Sequence, residues 1–219
     1  MKYNLLIMIT LTLFGCKKDD DQGLTINSAT YSLHYDESHK FNVREGSRDL
    51  DNTQLSWSVQ DTSLGTINAS GLFKAKRIGT TTIQAKKGNK TVLAQITVKP
   101  YSFLFIEPIL ELYKDRAYVL ANEKRRSIST VNDVELTFLG DNNKVTSVTY
   151  AFEPSYGIRM MRIIFVNKPE VIEEMKTFLS ERYFVKPGAP NSIIAFKDGL
   201  KHISASFSSS VGPQIEYFL

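Results

Sequence analysis

The chain has 219 residues, of which 42% are hydrophobic and 11% aromatic, and a formal net charge of +4 at pH 7. This is enough apolar side chain to bury the cores of one large or two ordinary domains. The positive surplus is mild, and the longest basic cluster is Lys124-Arg125-Arg126. Because nucleic-acid-binding proteins usually carry a concentrated basic stripe, these values argue against nucleic acid as a partner.

The first fifteen residues have the pattern of a secretory signal peptide. Lys2 supplies a positive start, and residues 5–14 are apolar apart from two threonines. A membrane-spanning helix needs about 20 apolar residues, so this stretch is too short, and the charged residues after it end it. We therefore predict that residues 1–15 direct export and are then removed.

The end of this stretch, Leu13-Phe14-Gly15-Cys16, resembles the lipobox of bacterial lipoproteins. The resemblance implies that Cys16 is lipidated, becomes the first mature residue and joins the protein to a membrane. Residues 16–23 form an acidic tether, and Lys17-Lys18-Asp19-Asp20-Asp21 is similar to the export tag of surface lipoproteins of the Bacteroidetes group. That similarity implies an outer-membrane location facing the cell surface. The alternatives are the periplasmic face and a plain solvated tether.

Residues 24–99 contain short runs of alternating apolar and polar residues, separated by glycines. Strict alternation is typical of strands with one buried face, and several such strands in about 75 residues predict a β-sandwich. The motifs resemble the group 2 bacterial immunoglobulin-like domain, which serves as a spacer or adhesion module. This resemblance implies that Trp57 lies between the sheets and that Ile83 and Ala85 point inward. The matching motifs are Trp57, Asp61-Thr62-Ser63, Thr66-Ile67, Gly71-Leu72-Phe73-Lys74-Ala75, Gly79-Thr80-Thr81-Thr82-Ile83-Gln84-Ala85 and Ile96-Thr97-Val98.

Residues 101–219 change to a mixed pattern that predicts an α+β domain. Helical spacing of apolar residues over about 107–124 and 169–182 predicts two helices. Each is followed by three strand-like runs, so residues 107–166 and 168–219 form two αβββ repeats. Their six strands would form one antiparallel sheet with both helices on one face. The layout resembles small domains of envelope lipoproteins and of proteinaceous enzyme inhibitors, although an ordinary α+β domain with a coincidental order is the alternative.

The sequence offers no set of catalytic residues. The only thiol is Cys16, and no Gly-x-Ser-x-Gly motif occurs. The spacing of His34, His39 and His202 does not match a zinc site, and Asp36-Glu37 lacks the rest of a calcium loop. We therefore predict no enzyme activity, no metal and no cofactor.

Binding needs only a suitable surface, and aromatic residues of the second domain provide candidates. Tyr150, Phe152, Tyr156, Tyr183 and Phe184 lie near predicted strand ends, where rings could contact a carbohydrate or a protein. The alternative is that most of them are core residues. The strand that ends at Phe218-Leu219 is a candidate edge for strand addition by a partner.

These patterns together favour a mostly β protein with an N-terminal Ig-like sandwich and a C-terminal α+β domain. The leading functional hypothesis is a lipid-anchored envelope protein that displays a non-catalytic binding or adhesion module. Its rivals are an envelope enzyme or enzyme inhibitor carried by residues 101–219, and an accessory subunit of an uptake or adhesion complex. A pocket that joins Arg159, Arg162 and His202 would favour the enzyme or the inhibitor.

Overall fold

A computed structural model describes residues 23–111, 113–132, 134–197 and 202–219, with the backbone alone for 127–132. The predicted signal peptide, Cys16 and all but the last residue of the tether lie outside these ranges. None of the helices in the described ranges combines the length and the hydropathy that a membrane span requires.

The first domain is a β-sandwich, as predicted. A short 3-10 helix (Asn52–Gln54) lies between its fifth and sixth strands. Strands β2, β10, β9 and β6 form one sheet in that order, and the two other sheets have the orders β1-β4-β5 and β3-β8-β7. The strands are β1 (Leu24–Ile26), β2 (Thr30–His34), β3 (Ser38–Lys40), β4 (Val43–Glu45), β5 (Arg48–Asp49), β6 (Ser56–Val59), β7 (Gly65–Ile67), β8 (Leu72–Ala75), β9 (Gly79–Lys87) and β10 (Lys90–Lys99).

Alternation along β9 builds the core of this sandwich. Ile83 and Ala85 are fully buried, as predicted, while the intervening residues face outward. Trp57 is partly buried and packs against both apolar clusters of the domain. Its indole N–H donates to the carbonyl of Asn52 at 3.0 Å. The predicted position of Trp57 between the sheets is therefore confirmed.

The second domain is α+β, as predicted, with an eight-stranded antiparallel sheet. The strand order is β11-β12-β13-β14-β18-β17-β16-β15, so two four-stranded halves meet where β14 pairs with β18. Helix α2 packs its apolar face onto the sheet. The elements are α1 (Arg116–Asn122), β11 (Ser127–Asn132), β12 (Glu135–Leu139), β13 (Val145–Glu153), β14 (Gly157–Phe165), α2 (Pro169–Arg182), β15 (Phe184–Pro187), β16 (Ser192–Phe196), β17 (His202–Ser206) and β18 (Gln214–Phe218).

Each half has four strands, not the three that the sequence predicted. The additional strands are β11 and β15, which come directly after the two helical segments. Strand β15 has the sequence Phe-Val-Lys-Pro. Four residues are too few to show alternation, and the terminal proline is unfavourable in a sheet, so the sequence did not indicate this strand. The repeated order of elements holds, as αββββ rather than αβββ.

The first predicted helix of this domain is much shorter than expected. Only Arg116–Asn122 is helical, and the segment before it is irregular. Side chains from the sheet bind the backbone of that segment. The carboxylate of Asp141 accepts from the N–H of Ile106 at 2.6 Å, and the hydroxyl of Tyr150 accepts from the N–H of Ile109 at 2.9 Å. These groups take the place of helical hydrogen bonds.

The start of α1 is set by its N-cap residue. The Asp115 carboxylate accepts from the N–H of Tyr118 at 2.8 Å, which satisfies one of the free donors of the first turn. Tyr113, two residues earlier, has a φ of 61°, a conformation that does not continue into a helix. The helix therefore begins at Arg116, and Pro108 does not occupy its first turn.

A buried carboxylate joins the two domains. The side chain of Glu181, in the last turn of α2, accepts from the backbone N–H groups of Tyr101 at 2.8 Å and Ser102 at 3.1 Å. It also accepts from the guanidinium of Arg182, which donates to the Ser102 carbonyl at 2.9 Å. The backbone carbonyl of Glu181 accepts from the N–H of Ile78 in the first domain at 2.8 Å. Helix α2, the connecting segment and the sandwich are thus tied at one residue.

Candidate functional site

The eight-stranded sheet has one buried face and one face with partial exposure. On β17 and β18, Ile203, Ala205, Ile215 and Tyr217 are fully buried against the core that includes α2. The residues that alternate with them point the other way and keep partial exposure. We call this second side the open face, and its residues are the candidate binding surface.

Cross-strand register places an aromatic row on the open face. Phe184 of β15 pairs with Phe196 of β16, and His202 of β17 pairs with Phe218 of β18. Continuing the β16–β17 register by one residue beyond Ala195 sets His202 beside Phe196. The aromatic row, Phe184-Phe196-His202-Phe218, therefore crosses four neighbouring strands.

A second row on the open face runs beside the aromatic row and is mainly polar. Ile194 of β16 pairs with Lys186 on one side and Ser204 on the other, and Glu216 of β18 pairs with Arg162 of β14. Arg162 Nε donates to the Glu216 carboxylate at 2.7 Å, so these two charges compensate each other. Lys186 has no carboxylate within salt-bridge distance among the described residues.

The ring faces of the aromatic row are already in contact with other groups. His202 and Phe218 stack with centroids 4.3 Å apart and planes 18° apart. The ammonium of Lys186 lies 5.6 Å from the ring centre of Phe184 and 5.4 Å from that of Phe196. Such cation–π contacts occupy the face of a ring and leave its edge available. Each ring of the row thus has a neighbouring group against one of its faces, and Lys186 adds a cation to the open face.

The three polar residues proposed from the sequence do not converge on a pocket. Arg162 and His202 both lie on the open face, but they belong to different rows and are separated by β18. Arg159 is the extra residue of a β-bulge, because Ala151 pairs with Met160 while Phe152 pairs with Ile158. Among the cavities found in the described ranges, none is lined by all three of these residues.

The five aromatic candidates separate into core and surface. Tyr150 and Tyr183 are buried, and Phe152 packs against the same core, so these three have a structural role. Tyr156 is exposed in the turn between β13 and β14. Only Phe184 joins the aromatic row on the open face.

The prediction of an edge strand at Phe218-Leu219 is wrong. Strand β18 lies in the middle of the sheet between β14 and β17. At the β15 edge, the Gly188 N–H donates to the Ser192 carbonyl, and by alternation Val185 and Pro187 direct their backbone groups away from β16. Because proline has no N–H, this free edge is a poor template for strand addition.

The acidic and histidine candidates of the first domain have structural partners. The Glu37 carboxylate accepts from the His34 N–H at 2.7 Å, and Asp36 accepts from the Tyr101 hydroxyl at 3.2 Å. His39 lies between Tyr31 and Phe41, and burial lowers its pKa. Within the described ranges, no three His, Cys, Asp or Glu residues are grouped to hold a metal ion.

A buried acid lies in the core behind the open face. Burial raises the pKa of Glu107, and the positive charges of Lys197 and Arg182 partly oppose that shift. The neighbouring Tyr217 is completely buried and its pKa is also raised, first by burial and then by the charge of Glu107. Glu107 lies on the core side of the sheet, so it affects stability rather than the open face.

Sequence reasoning missed two residues of this region, Lys186 and Arg77. Lys186 belongs to a strand that gave no alternating signal. Arg77 belongs to the first domain, and its Cζ lies 5.6 Å from the ring centre of Phe184 in the second. Phe184 and Lys186 are two residues apart and would share a face of any strand, but four residues that end in proline are too few to identify that strand. The contact between Arg77 and Phe184 joins distant parts of the chain, so it depends on domain packing.

These features define a class: a two-domain protein with an Ig-like sandwich and an α+β domain that has one open sheet face. Residues 22–98 match the family described as bacterial Ig-like domain (group 2). The first domain is therefore a group 2 bacterial Ig-like domain, as the motifs predicted. A search of curated proteins gives no match.

Three solved structures show low overall similarity. An intimin mutant of EHEC O157:H7 is 24% identical, with a TM-score of 0.26, over 34% of this chain and 45% of that one. Domains 4–9 of the surface layer protein SbsC are 12% identical (TM-score 0.32; 89% and 26% covered), and its domains 5–6 are 13% identical (TM-score 0.30; 89% and 81% covered). The chain thus covers less than half of the first two structures. With TM-scores this low, they support no conclusion about its function.

Proposed function

We propose that this protein is a lipid-anchored cell-envelope protein that displays a non-catalytic binding domain on an Ig-like spacer. The observation that carries the proposal is the open face of the eight-stranded sheet. Four aromatic side chains form a row across it, and Phe184 and Phe196 remain 53% and 39% exposed. Exposed apolar patches of this kind mark interaction sites, because water contact with them is unfavourable.

Several features support binding rather than catalysis at this face. The charges of Arg162 and Glu216 neutralise each other, and His202 is engaged in a ring stack. General acid–base chemistry needs a titratable group directed at a substrate, with a pKa suited to proton transfer. The open face instead offers a broad surface of hydroxyl groups, ring edges and a lysine. We expect it to bind a protein partner or a carbohydrate.

The amino-terminal sequence supports the proposed location in the cell envelope. The lipobox-like Leu13-Phe14-Gly15-Cys16 supports an acyl anchor at Cys16 as the first residue of the mature chain, with the acidic tether after it. Two or more acyl chains hold a protein stably at a membrane, whereas one holds it only marginally. We propose the outer membrane with the domains facing the cell surface, with the periplasmic face as the alternative.

The anchor is tested with Cys16→Ala in the producing bacterium. Metabolic labelling with palmitate should mark the native protein and not the variant, and the variant should leave the membrane fraction. Protease treatment of intact cells should cleave the native protein if it faces outward. Palmitate labelling of the variant would contradict lipidation at Cys16, and cleavage only after the envelope is opened would favour the periplasmic face.

The binding surface is tested by photo-crosslinking in intact cells. A photoreactive amino acid replaces Phe218 on the open face, and in a control protein it replaces the exposed Gln84 on β9 of the spacer. We expect adducts from the first position and few from the second. Adducts from Gln84 alone would assign binding to the Ig-like domain instead.

A further inference from the structure

The two domains meet beside one end of the open face. Arg77, in the segment between β8 and β9, extends over the ring of Phe184 at the start of β15. Lys186 lies over the same ring and over that of Phe196. These four residues, Arg77, Phe184, Lys186 and Phe196, form what we call the cationic corner. One of its two cations comes from the spacer and the other from the α+β domain.

The position of Arg77 is fixed by the backbone on both sides. The Ile78 N–H donates to the Glu181 carbonyl at 2.8 Å, and the Arg77 N–H donates to the Leu64 carbonyl at 3.3 Å. Arg77 Nη1 donates to the Ser63 carbonyl at 3.0 Å. The guanidinium is therefore held at the domain junction by contacts that do not involve a ligand.

Neither cation of the corner has an ion-pair partner among the residues that the structure describes. The charge of Arg77 has only a small effect on the carboxylate of Asp61. The pKa of Asp61 is lowered first by hydrogen bonds from Ser63 and only lastly by the charge of Arg77. Within the described ranges, the Lys186 ammonium lies over the rings of Phe184 and Phe196 and forms no salt bridge. Two positive charges held against apolar rings, with no compensating acid in the described part of the chain, favour an anionic partner.

The rings indicate what else that partner must provide. Each ring has a cation or another ring against one of its faces, which leaves less ring face on which a sugar could stack. Phe184 and Phe196 remain 53% and 39% exposed, and this apolar surface favours contact with apolar side chains. The free edge of β15 ends in Pro187, which disfavours strand addition. Side-chain recognition of a segment that combines carboxylates with apolar residues fits all of these features.

We propose that the cationic corner binds an acidic segment of a partner protein, with carboxylates on Arg77 and Lys186 and apolar side chains against Phe184 and Phe196. This inference rests on the proposed function, because it names the partner class for the open face. It also gives the Ig-like domain a direct part in binding, since Arg77 belongs to that domain.

The test uses the purified full chain and a fluorescent peptide of alternating Glu and Leu, with the Gln–Leu peptide as the uncharged probe. Binding is measured by fluorescence anisotropy at low and high salt. We expect the acidic peptide to bind and the Gln–Leu peptide to bind much more weakly. Binding should weaken with salt, because exposed charges are screened. Lys186→Glu and Arg77→Glu should each weaken it about tenfold or more, the scale of a reversed charge at an interface.

The matched control is Lys168→Glu, which makes the same charge change at an exposed residue at the start of α2. It should leave peptide binding within about twofold, a change that corresponds to less than 0.5 kcal/mol. Thermal unfolding of all three variants should match the native protein. Equal weakening by Lys168→Glu would overturn the proposal, because it would show that only net charge matters.

Two further outcomes separate this inference from the proposed function. If Phe218 gives adducts in cells while the acidic peptide does not bind, the cationic corner is wrong and the open face stands as the binding surface. If polygalacturonate binds with the same dependence on Arg77 and Lys186 while the peptide does not, the partner is an acidic polysaccharide and the proposed protein segment is overturned.

Discussion

The outward faces of the two main sheets differ in what they expose to water. On β9 of the first domain the outward residues include Thr82, Gln84 and Lys86, as expected for a solvated strand. On the open face of the second domain, Phe184 and Phe196 occupy equivalent outward positions. Both sheets bury their other face equally well, so the difference is not a requirement of folding.

The proposed function interprets this difference as a separation of roles, with the first domain as a spacer and the second as the binding domain. Apart from the exposed Leu93 beside Gln84, the outer face of the first domain's main sheet is polar, which suits a spacer that must remain soluble and must not attract partners. An apolar row with cations beside it costs solubility, and a protein that keeps one has a use for it. The predictions below test whether stability and binding are separated in this way, from the largest expected effect to the smallest.

The largest effect is expected at the junction that joins the two regions. Glu181→Ala should lower the free energy of unfolding by about 3–5 kcal/mol, because it removes the fully buried partner of the largely buried Arg182 guanidinium, which keeps only its hydrogen bonds to backbone carbonyls. The backbone N–H groups of Tyr101 and Ser102 also lose their acceptor. Chemical denaturation followed by circular dichroism measures the change. Glu170→Ala, in the exposed first turn of the same helix, serves as the control, and an equal loss there would contradict the assigned role of Glu181.

The two cores can be weakened separately with matched substitutions. Ile83→Ala in the sandwich and Ile163→Ala in the α+β domain each remove a fully buried side chain. Each should cost about 2–5 kcal/mol, the range for such truncations. Trp57 is the only tryptophan and lies in the first domain, so its fluorescence reports that domain alone. Ile83→Ala should move the fluorescence transition most, and Ile163→Ala the circular dichroism transition. The reverse assignment would contradict two separate cores.

Much of the sandwich could be predicted from sequence, because its determinants are local. The resemblance to the Ig-like family, which rests on local motifs, implied that Ile83 and Ala85 point inward, and two of those motifs begin with Gly71 and Gly79. Both glycines have positive φ, which other residues adopt only with strain. Local signals of this kind need no knowledge of distant partners.

The candidate site could not be predicted in the same way. The aromatic row exists because register aligns Phe184, Phe196, His202 and Phe218, and register depends on all four strands together. Helical spacing in the segment before Arg116 was misleading, because its backbone N–H groups donate instead to Asp141, in the turn between β12 and β13, and to Tyr150 of β13. Both the aromatic row and the irregular segment before α1 therefore depend on contacts between segments that are distant in the sequence.

Glu107 and Glu111 lie in one segment, and the fold shifts their pKa values in opposite directions. Burial raises the pKa of Glu107 above its ordinary 4.5. Hydrogen bonds from Lys114 and Tyr118 lower the pKa of Glu111. The folded state thus holds a proton on Glu107 more tightly than the unfolded state does. Ionisation of Glu107 therefore removes stability as the pH rises through its folded pKa. For Glu111 the sign is opposite, and stability is lost as the pH falls.

Conservative amides test these signs. Glu107→Gln should be more stable than the native protein at neutral pH, and the difference should shrink as the pH approaches 4.5. Glu111→Gln should be less stable at neutral pH, and that difference should shrink as the medium becomes acidic. Urea denaturation across this pH range measures both. A Glu107→Gln variant that is less stable at neutral pH would show that the carboxylate is stabilised in place.

The smallest effect on stability is expected for substitutions on the exposed faces. These substitutions also test most directly whether the two domains have separate roles in spacing and binding. Phe184→Ser on the open face and Leu93→Ser on β10 of the spacer both remove a side chain that is about half exposed, 53% and 55% respectively. Each should change the free energy of unfolding by less than about 1 kcal/mol, as surface substitutions usually do. Only Phe184→Ser should reduce photo-crosslinking from position 218 in intact cells, because only Phe184 belongs to the aromatic row. If Leu93→Ser reduces it equally, the spacer also contacts the partner there; if Phe184→Ser destabilises the domain strongly, the row serves folding and not binding.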